Sequence, residues 1–329
     1  MTKKKYPWRI WTVFLMAAVI LGILYYYGIF AQQKEKTPVY SVILYQNTND
    51  EWTTLVEGTE QAEEDLDIHI NYVYLAKEDT AEEQAAAIRR EINGGTSGIL
   101  MAPVDTNGLK RILDTMYLKV PVLCVETGAG EAFPVLRADD YAMGKALGEE
   151  ILRDMDSTGR ERKVTILTEY LERDSVQMRY QGLTDVLKSA EPEVRIEERI
   201  RMNRDFSLGR FTRSVFYDES PYLVALDKYV TEQAAASWTA YRQEYENGEF
   251  SCRTYGIGNT AQTVNALDNE NIAVLMYQNE FNMGYQGITC LAEKRKKKWI
   301  EENTGISYRM VTKESLYEDE NERLLFSNT

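Results

Sequence analysis

The chain has 329 residues, 44% of them hydrophobic, and a formal net charge of −14, which is enough apolar material for more than one core. So acidic a chain lacks the basic footprint that a nucleic-acid binder needs. One histidine and three scattered cysteines (Cys124, Cys252, Cys290) argue against a zinc site or a disulfide framework, although a single Cys252–Cys290 bridge stays open.

Residues 1–9 form a basic tail containing Lys3, Lys4, Lys5 and Arg9, and residues 10–30 carry no charge. A helix of that length, at about 1.5 Å per residue, matches a bilayer core of roughly 30 Å. The basic flank favours the cytoplasmic side. The expectation is a single-pass signal anchor in the cell membrane, with everything after it extracytoplasmic. A long signal peptide clipped near Ala31 is the alternative. Residues 31–38 read as a short polar linker that keeps the outer domain near the membrane.

Short apolar runs then alternate with amphipathic ones. Strands are predicted over 39–45, 68–75, 98–102 and 120–125, separated by helices over 51–66, 80–92 and 107–117. After Arg137 the pattern restarts. Helices over 141–155, 175–188, 208–217, 229–245, 261–267 and 282–299 interleave with strands over 163–168, 194–201, 222–226, 252–256, 272–277 and 306–311. Two such sets in succession predict an α/β fold of two doubly wound parallel-sheet lobes, and ligands of such sheets bind beyond the carboxyl ends of the strands.

The chemistry of catalysis is missing from this pattern. His69 lies in a strand between Ile68 and Ile70, where it has a structural role and no partner for proton relay. There is no phosphate loop, no Gly-x-Ser-x-Gly elbow and no metal-ligand spacing, so neither enzyme activity, cofactor nor metal is expected. Acidic pairs such as Glu63-Glu64 and Glu82-Glu83 read as solvated helix faces, and the basic run 294–298 as a solvated helix end.

Several strand-end segments carry a family likeness. These are Tyr45-Gln-Asn-Thr-Asn-Asp-Glu-Trp52 with Gly58, residues 93–103 with Asp105, Val120-Pro-Val, Ala138-Asp-Asp-Tyr-Ala-Met-Gly144, Ser175-Val-Gln-Met-Arg179 with Gly182, residues 279–284, and Val311-Thr-Lys-Glu314. In order and spacing the chain resembles the type I periplasmic binding proteins, the sugar-binding branch that includes ribose-binding protein and lactose-repressor-type effector domains. The resemblance implies two lobes joined by three crossover strands. The N-terminal lobe would hold 39–138 plus 279–305 and the C-terminal lobe 139–278 plus 306–329. Ala138, Asp139 and Asn279 would be hinge residues.

It also implies a ligand site. Trp52 and Phe206 take the places of aromatics that stack on a sugar ring from opposite sides, and Gln46 and Asn49 share the loop of Trp52. Arg179 would fork onto ligand oxygens or an acidic neighbour; Asp227 would cap a helix, face the ligand, or do both. Gln278 matches a crossing glutamine. Glu126-Thr127 replaces an Asp-Arg pair of the ribose binders, and Gly256-Ile-Gly258-Asn259 replaces a Gly-Phe-Asp turn, so ribose itself is not implied. The expected partners are a small polar ligand, a sugar first of all, and an integral membrane protein, either an ABC-type permease or a histidine kinase. An enzyme on the same two-lobed fold and a surface domain without a site are the rival readings.

Overall fold

The structure, a computed structural model, describes residues 8–32, 37–45, 50–76, 80–190, 192–200, 208–245, 250–295 and 305–325. The chain divides into two units, Met1–Pro38 and Val39–Thr329. The first contains one helix, α1 (Trp8–Gln32), whose described side chains from Trp11 to Tyr25 are all exposed. Among the described residues no helix is long and apolar enough to cross a membrane. The uncharged run 10–30 extends past those side chains at both ends.

The second unit contains two sheets. β1 (Val39–Tyr45), β2 (His69–Leu75), β3 (Ile99–Met101), β4 (Val122–Val125) and β5 (Val135–Leu136) form the first, in the order β2-β1-β3-β4-β5 and parallel throughout. β1 is buried from Tyr40 to Tyr45, as expected of a strand with both faces covered. The connecting helices α2 (Thr53–Leu66), α3 (Ala81–Gly94) and α4 (Thr106–Leu113) begin on the chemistry their sequences carry. Thr80 and Glu83 close a reciprocal capping box on α3, and the Asp105 carboxylate accepts from Gly108 N at the start of α4.

The second sheet holds β6 (Lys163–Thr168), β7 (Arg195–Ile200), β8 (Tyr222–Ala225), β9 (Arg253–Ile257), β10 (Val274–Gln278) and β11 (Tyr308–Val311). Its order is β11-β10-β9-β8-β6-β7, so its five parallel strands repeat the winding of the first sheet. β11 departs from the parallel pattern and runs antiparallel to β10, with Gln278 opposite Tyr308. The reason is connectivity: the chain leaves at the carboxyl end of β10 and re-enters at that same end. Asn279 N donates to Ser307 O at 2.9 Å where the two passages cross. The helices here are α5 (Asp140–Thr158), α6 (Asp174–Ser189), α7 (Leu208–Tyr217), α8 (Lys228–Glu244) and α9 (Ala261–Asp268). α10 (Glu280–Arg295) packs instead on α2, β3 and β4 of the first lobe, and α11 (Asp319–Leu325) follows β11.

Among the described residues each lobe has a helix pair in backbone contact at its glycines. A Cβ on Gly58 of α2 would lie 2.0 Å from Phe281 O, and one on Gly284 of α10 would lie 2.1 Å from Leu55 O. In the second lobe Gly144 of α5 would meet Arg179 O at 2.0 Å and Gly182 of α6 would meet Tyr141 O at 2.1 Å. Only glycine admits such an approach. All three cysteines are free thiols, so the Cys252–Cys290 bridge does not form. The basic run 294–298 lies mostly outside the described residues.

Candidate ligand site between the lobes

In both sheets the strand order reverses beside the first strand, between β1 and β3 and between β6 and β8. The carboxyl ends of strands at such switch points open a crevice for ligands. The side chains emerging there meet across the two lobes.

Trp52, just before α2, is 3% exposed. Its indole N–H donates to the Tyr45 carbonyl and the two rings pack edge to face with centroids 5.0 Å apart. Lys228, at the start of α8, brings its Nζ to 4.6 Å from the Trp52 ring centroid. The same ammonium donates to Glu51 O at 2.6 Å and pairs with Glu280 Oε1 at 2.6 Å. Burial disfavours its charge, yet the carboxylates of Glu280, Glu126 and Glu51 raise its pKa above the ordinary lysine value. Trp52 is therefore a lobe-to-lobe contact, packed on its own lobe and capped by a cation from the other.

Arg173 comes from the residue before α6. Its guanidinium carbon lies 3.6 Å from the Tyr45 centroid and 4.0 Å from that of Tyr170, between one ring from each lobe.

Glu126 and Thr127 follow β4. Glu126 has φ +60° and Thr127 N donates to Val125 O at 2.6 Å, a γ-turn that a non-glycine residue adopts only under strain. The turn aims the Glu126 carboxylate at the Tyr45 hydroxyl, which donates to it, and at Arg179 Nη2, 3.4 Å away. Burial works against its charge, but Arg179 and Lys228 hold its pKa below the usual value. The Thr127 hydroxyl bonds that of Ser175 at 2.6 Å.

Arg179 lies more than a turn inside α6 and has no exposed surface. Its Nε donates to Asp140 Oδ1 at 2.7 Å and its Nη1 to Leu226 O at 3.2 Å. The guanidinium thus forks onto two acidic neighbours and a backbone carbonyl. Burial pushes Asp140 up to about 6 even against Arg179 and Arg137.

Asp227 follows β8. Its Oδ1 caps α8 by accepting from Val230 N at 2.9 Å, while Oδ2 is buried with no hydrogen-bond partner. Burial raises its pKa to about 7. Gln278 is buried at the end of β10, and its Oε1 accepts from Ala138 N at 3.2 Å, so it ties two crossing segments together. Asp139 caps α5 through Ala142 N, and Asn279 accepts from Asn282 N. Gln46, Asn49 and Phe206 lie outside the described residues.

Seven residues described above at this site escaped the sequence reading: Tyr45, Glu51, Asp140, Tyr170, Arg173, Lys228 and Glu280. Five of them, all but Tyr170 and Arg173, directly adjoin a residue singled out above, at a strand end, a helix start or a crossing. That adjacency is the signal that finds them. Among the described residues no group of three His, Cys, Asp or Glu side chains could hold a metal ion. The arrangement offers aromatic faces, buried carboxylates and guanidinium groups, a set suited to gripping a small polar molecule.

Residues 40–298 match the model of the periplasmic binding protein domain. No curated protein matches the chain. Solved structures similar to it include a carbohydrate transporter solute binding protein from Agrobacterium radiobacter in complex with D-arabinose. The two are 19% identical at a TM-score of 0.79, over 89% of this chain and 100% of that one. An ABC transporter solute binding protein from Agrobacterium vitis with bound D-fucose is 16% identical at a TM-score of 0.76, over 87% and 99%. A glucose-galactose binding protein from Geobacillus stearothermophilus is 16% identical at 0.72, over 86% and 100%. At such identities the structures speak to the fold, and the family model covers most of the sequence: the chain belongs to the periplasmic binding protein domain family.

Proposed function

We propose that the chain is a solute receptor that closes its two lobes on a small polyhydroxylated ligand, a sugar first of all, and passes that closure to an integral membrane partner. The observation that carries this is the meeting of Tyr45, Trp52 and Glu126 from one lobe with Arg173, Lys228 and Arg179 from the other at both switch points. Aromatic faces suit pyranose C–H groups, and planar charged groups fix hydroxyls. The solved proteins with bound D-arabinose and D-fucose lend support, since they share the fold over most of their length. A ligand that touches both lobes stabilises the closed form by contacts the open form lacks.

The receptor is held outside the cell by the uncharged run 10–30, with its basic flank inside. Its partner is an ABC-type permease or a histidine kinase, and the short 31–38 linker keeps the receptor within reach of either. Thermal unfolding of the full-length chain against pentoses, hexoses, disaccharides and polyols tests the binding reading. A ligand present at about 100 times its Kd adds roughly 2.7 kcal/mol, a rise of several degrees in midpoint. A flat response across the panel from folded protein overturns the reading, as does recovery of a chemically altered ligand.

A further inference from the structure

The field between the lobes is negative. Glu51, Glu126, Asp140, Asp227, Glu232 and Glu280 are buried around the switch points, against three buried cations, Arg173, Arg179 and Lys228. Lys228 reports on that field from inside it, because an ammonium so deeply buried would ordinarily lose its proton readily and this one holds it more firmly than in water. Arg173 behaves likewise: burial opposes its charge, and Tyr45, Tyr170, Glu51 and Glu126 outweigh that. The chain also shows how the cleft seats an ammonium, with a carboxylate, a carbonyl and an indole face around Lys228 Nζ.

Three of these six carboxylates keep an oxygen with no hydrogen-bond partner, Asp140, Asp227 and Glu232; Asp140 has Arg137 at 3.8 Å, and Glu232 lies a turn inside α8, which leaves Asp227 as the one at a strand end. Asp227 spends a single oxygen on its helix cap, and the other is buried without a partner. A buried acceptor left unmade is costly, so a donor that reaches it gains the full worth of the bond.

The geometry points to a ligand with a cationic nitrogen, a polyhydroxylated amine of the amino-sugar class, whose ammonium pairs with the free oxygen of Asp227. This rests on the receptor reading above and narrows it. Neutral hydroxyls satisfy acceptors but leave the excess of carboxylates uncompensated; an ammonium does both. Asp227 holds a proton up to about pH 7, so an arriving cation drives that proton off.

Calorimetry of the full-length chain in detergent micelles at pH 7 tests this with glucosamine, galactosamine and mannosamine, each beside its parent hexose and its N-acetyl derivative. At least one amine should bind about tenfold or more tightly than both its parent and its N-acetyl form, the worth of a charge-assisted hydrogen bond. Its apparent enthalpy should change with the ionisation heat of the buffer. Asp227→Asn keeps an acceptor for the α8 cap and should shrink the amine-to-parent ratio about tenfold, with the circular dichroism spectrum retained. A parent hexose that binds as well as its amine overturns this inference and leaves the receptor reading standing. No heat from any probe, with the protein folded, overturns both. An unchanged ratio in Asp227→Asn overturns the assignment to Asp227.

Discussion

The first lobe brings carboxylates and aromatic rings to the cleft: Glu51, Glu126, Glu280, Tyr45 and Trp52. The buried cations Arg173, Arg179 and Lys228 all come from the second. In other respects the lobes repeat one another, with the same winding of five parallel strands and a glycine-spaced helix pair, α2–α10 in one and α5–α6 in the other. Scaffold and cleft chemistry therefore separate. What a doubly wound sheet needs in order to fold is duplicated, and what it needs in order to close on something is divided between the copies. The second lobe has buried carboxylates too, Asp140, Asp227 and Glu232, but among the described residues the first lobe has no buried cation of its own. Arg179 reaches Glu126, Lys228 reaches Glu280, and Arg173 fits between Tyr45 and Tyr170 only when the lobes meet. Buried ion pairs of this kind add little net stability over apolar packing, yet they fix register, because a displaced partner strands a charge.

The strongest way to break this comparison is to remove a second-lobe cation. Arg179→Leu leaves Asp140 and Glu126 buried without their main partner, at a cost of about 3–5 kcal/mol in denaturant unfolding. The matching first-lobe change, Glu126→Gln, keeps an acceptor for the Tyr45 hydroxyl and leaves Arg179 paired with Asp140, so about 1–3 kcal/mol is expected. Equal losses for the two would show that the lobes contribute symmetrically after all.

These two cleft residues were legible in the sequence, and others beside them were not, for reasons that differ. β1, β6 and α7 run over the residues that periodicity marks, because alternation and the 3.6 repeat are imposed by burial on one or both faces. β5 was missed: two residues after a Gly- and Pro-containing loop give no pattern to read. α11 was missed as well, since its polar sequence leaves no apolar stripe for periodicity to find. At the site, Asp227 and Arg179 were found because strand ends and a family motif pointed to them. Lys228 and Glu280, each one place further along, looked like ordinary charges in a first helical turn. Residue type gives a charge an exposed prior, and only tertiary contact across the lobes reveals that these two are buried. The Trp52 ring was expected to lie open to a ligand, and no local signal told of the lysine that covers it.

A second kind of effect sharpens the contrast through pH. Asp227, from the second lobe, is raised to about 7 by burial, so the folded chain holds a proton there that the unfolded chain gives up near pH 4. Between those values the native state binds more protons than the unfolded one. Stability therefore falls as pH rises from about 4 to about 7 and levels off above, by at most about 1.4 kcal/mol for each unit the pKa is displaced. Urea unfolding across that range should show the decline, and Asp227→Asn should flatten it. First-lobe Glu126 is displaced the other way, so Glu126→Gln should remove stability that is present at neutral pH and lost on acidification below its normal range. A pH slope unchanged in Asp227→Asn would place the titration elsewhere.

The least expected effect probes the neutral links between lobes. Asn259 of the second lobe reaches Thr54 Oγ1 at 3.5 Å and Glu280 Oε2 at 3.3 Å, both at the long end of hydrogen-bond geometry. Its loss takes the donor from the buried Glu280 Oε2, while Oε1 keeps the Lys228 ammonium at 2.6 Å. Asn259→Ala should therefore cost about 1 kcal/mol, the lower end for a buried acceptor that loses a long hydrogen bond. A loss several times larger would mean that neutral contacts, and not the divided charges, set how firmly the lobes meet. The free oxygen of Asp227 would then lie in an interface whose spacing is fixed without it, and the placing of all three cations on one lobe would be a consequence of closure instead of its cause.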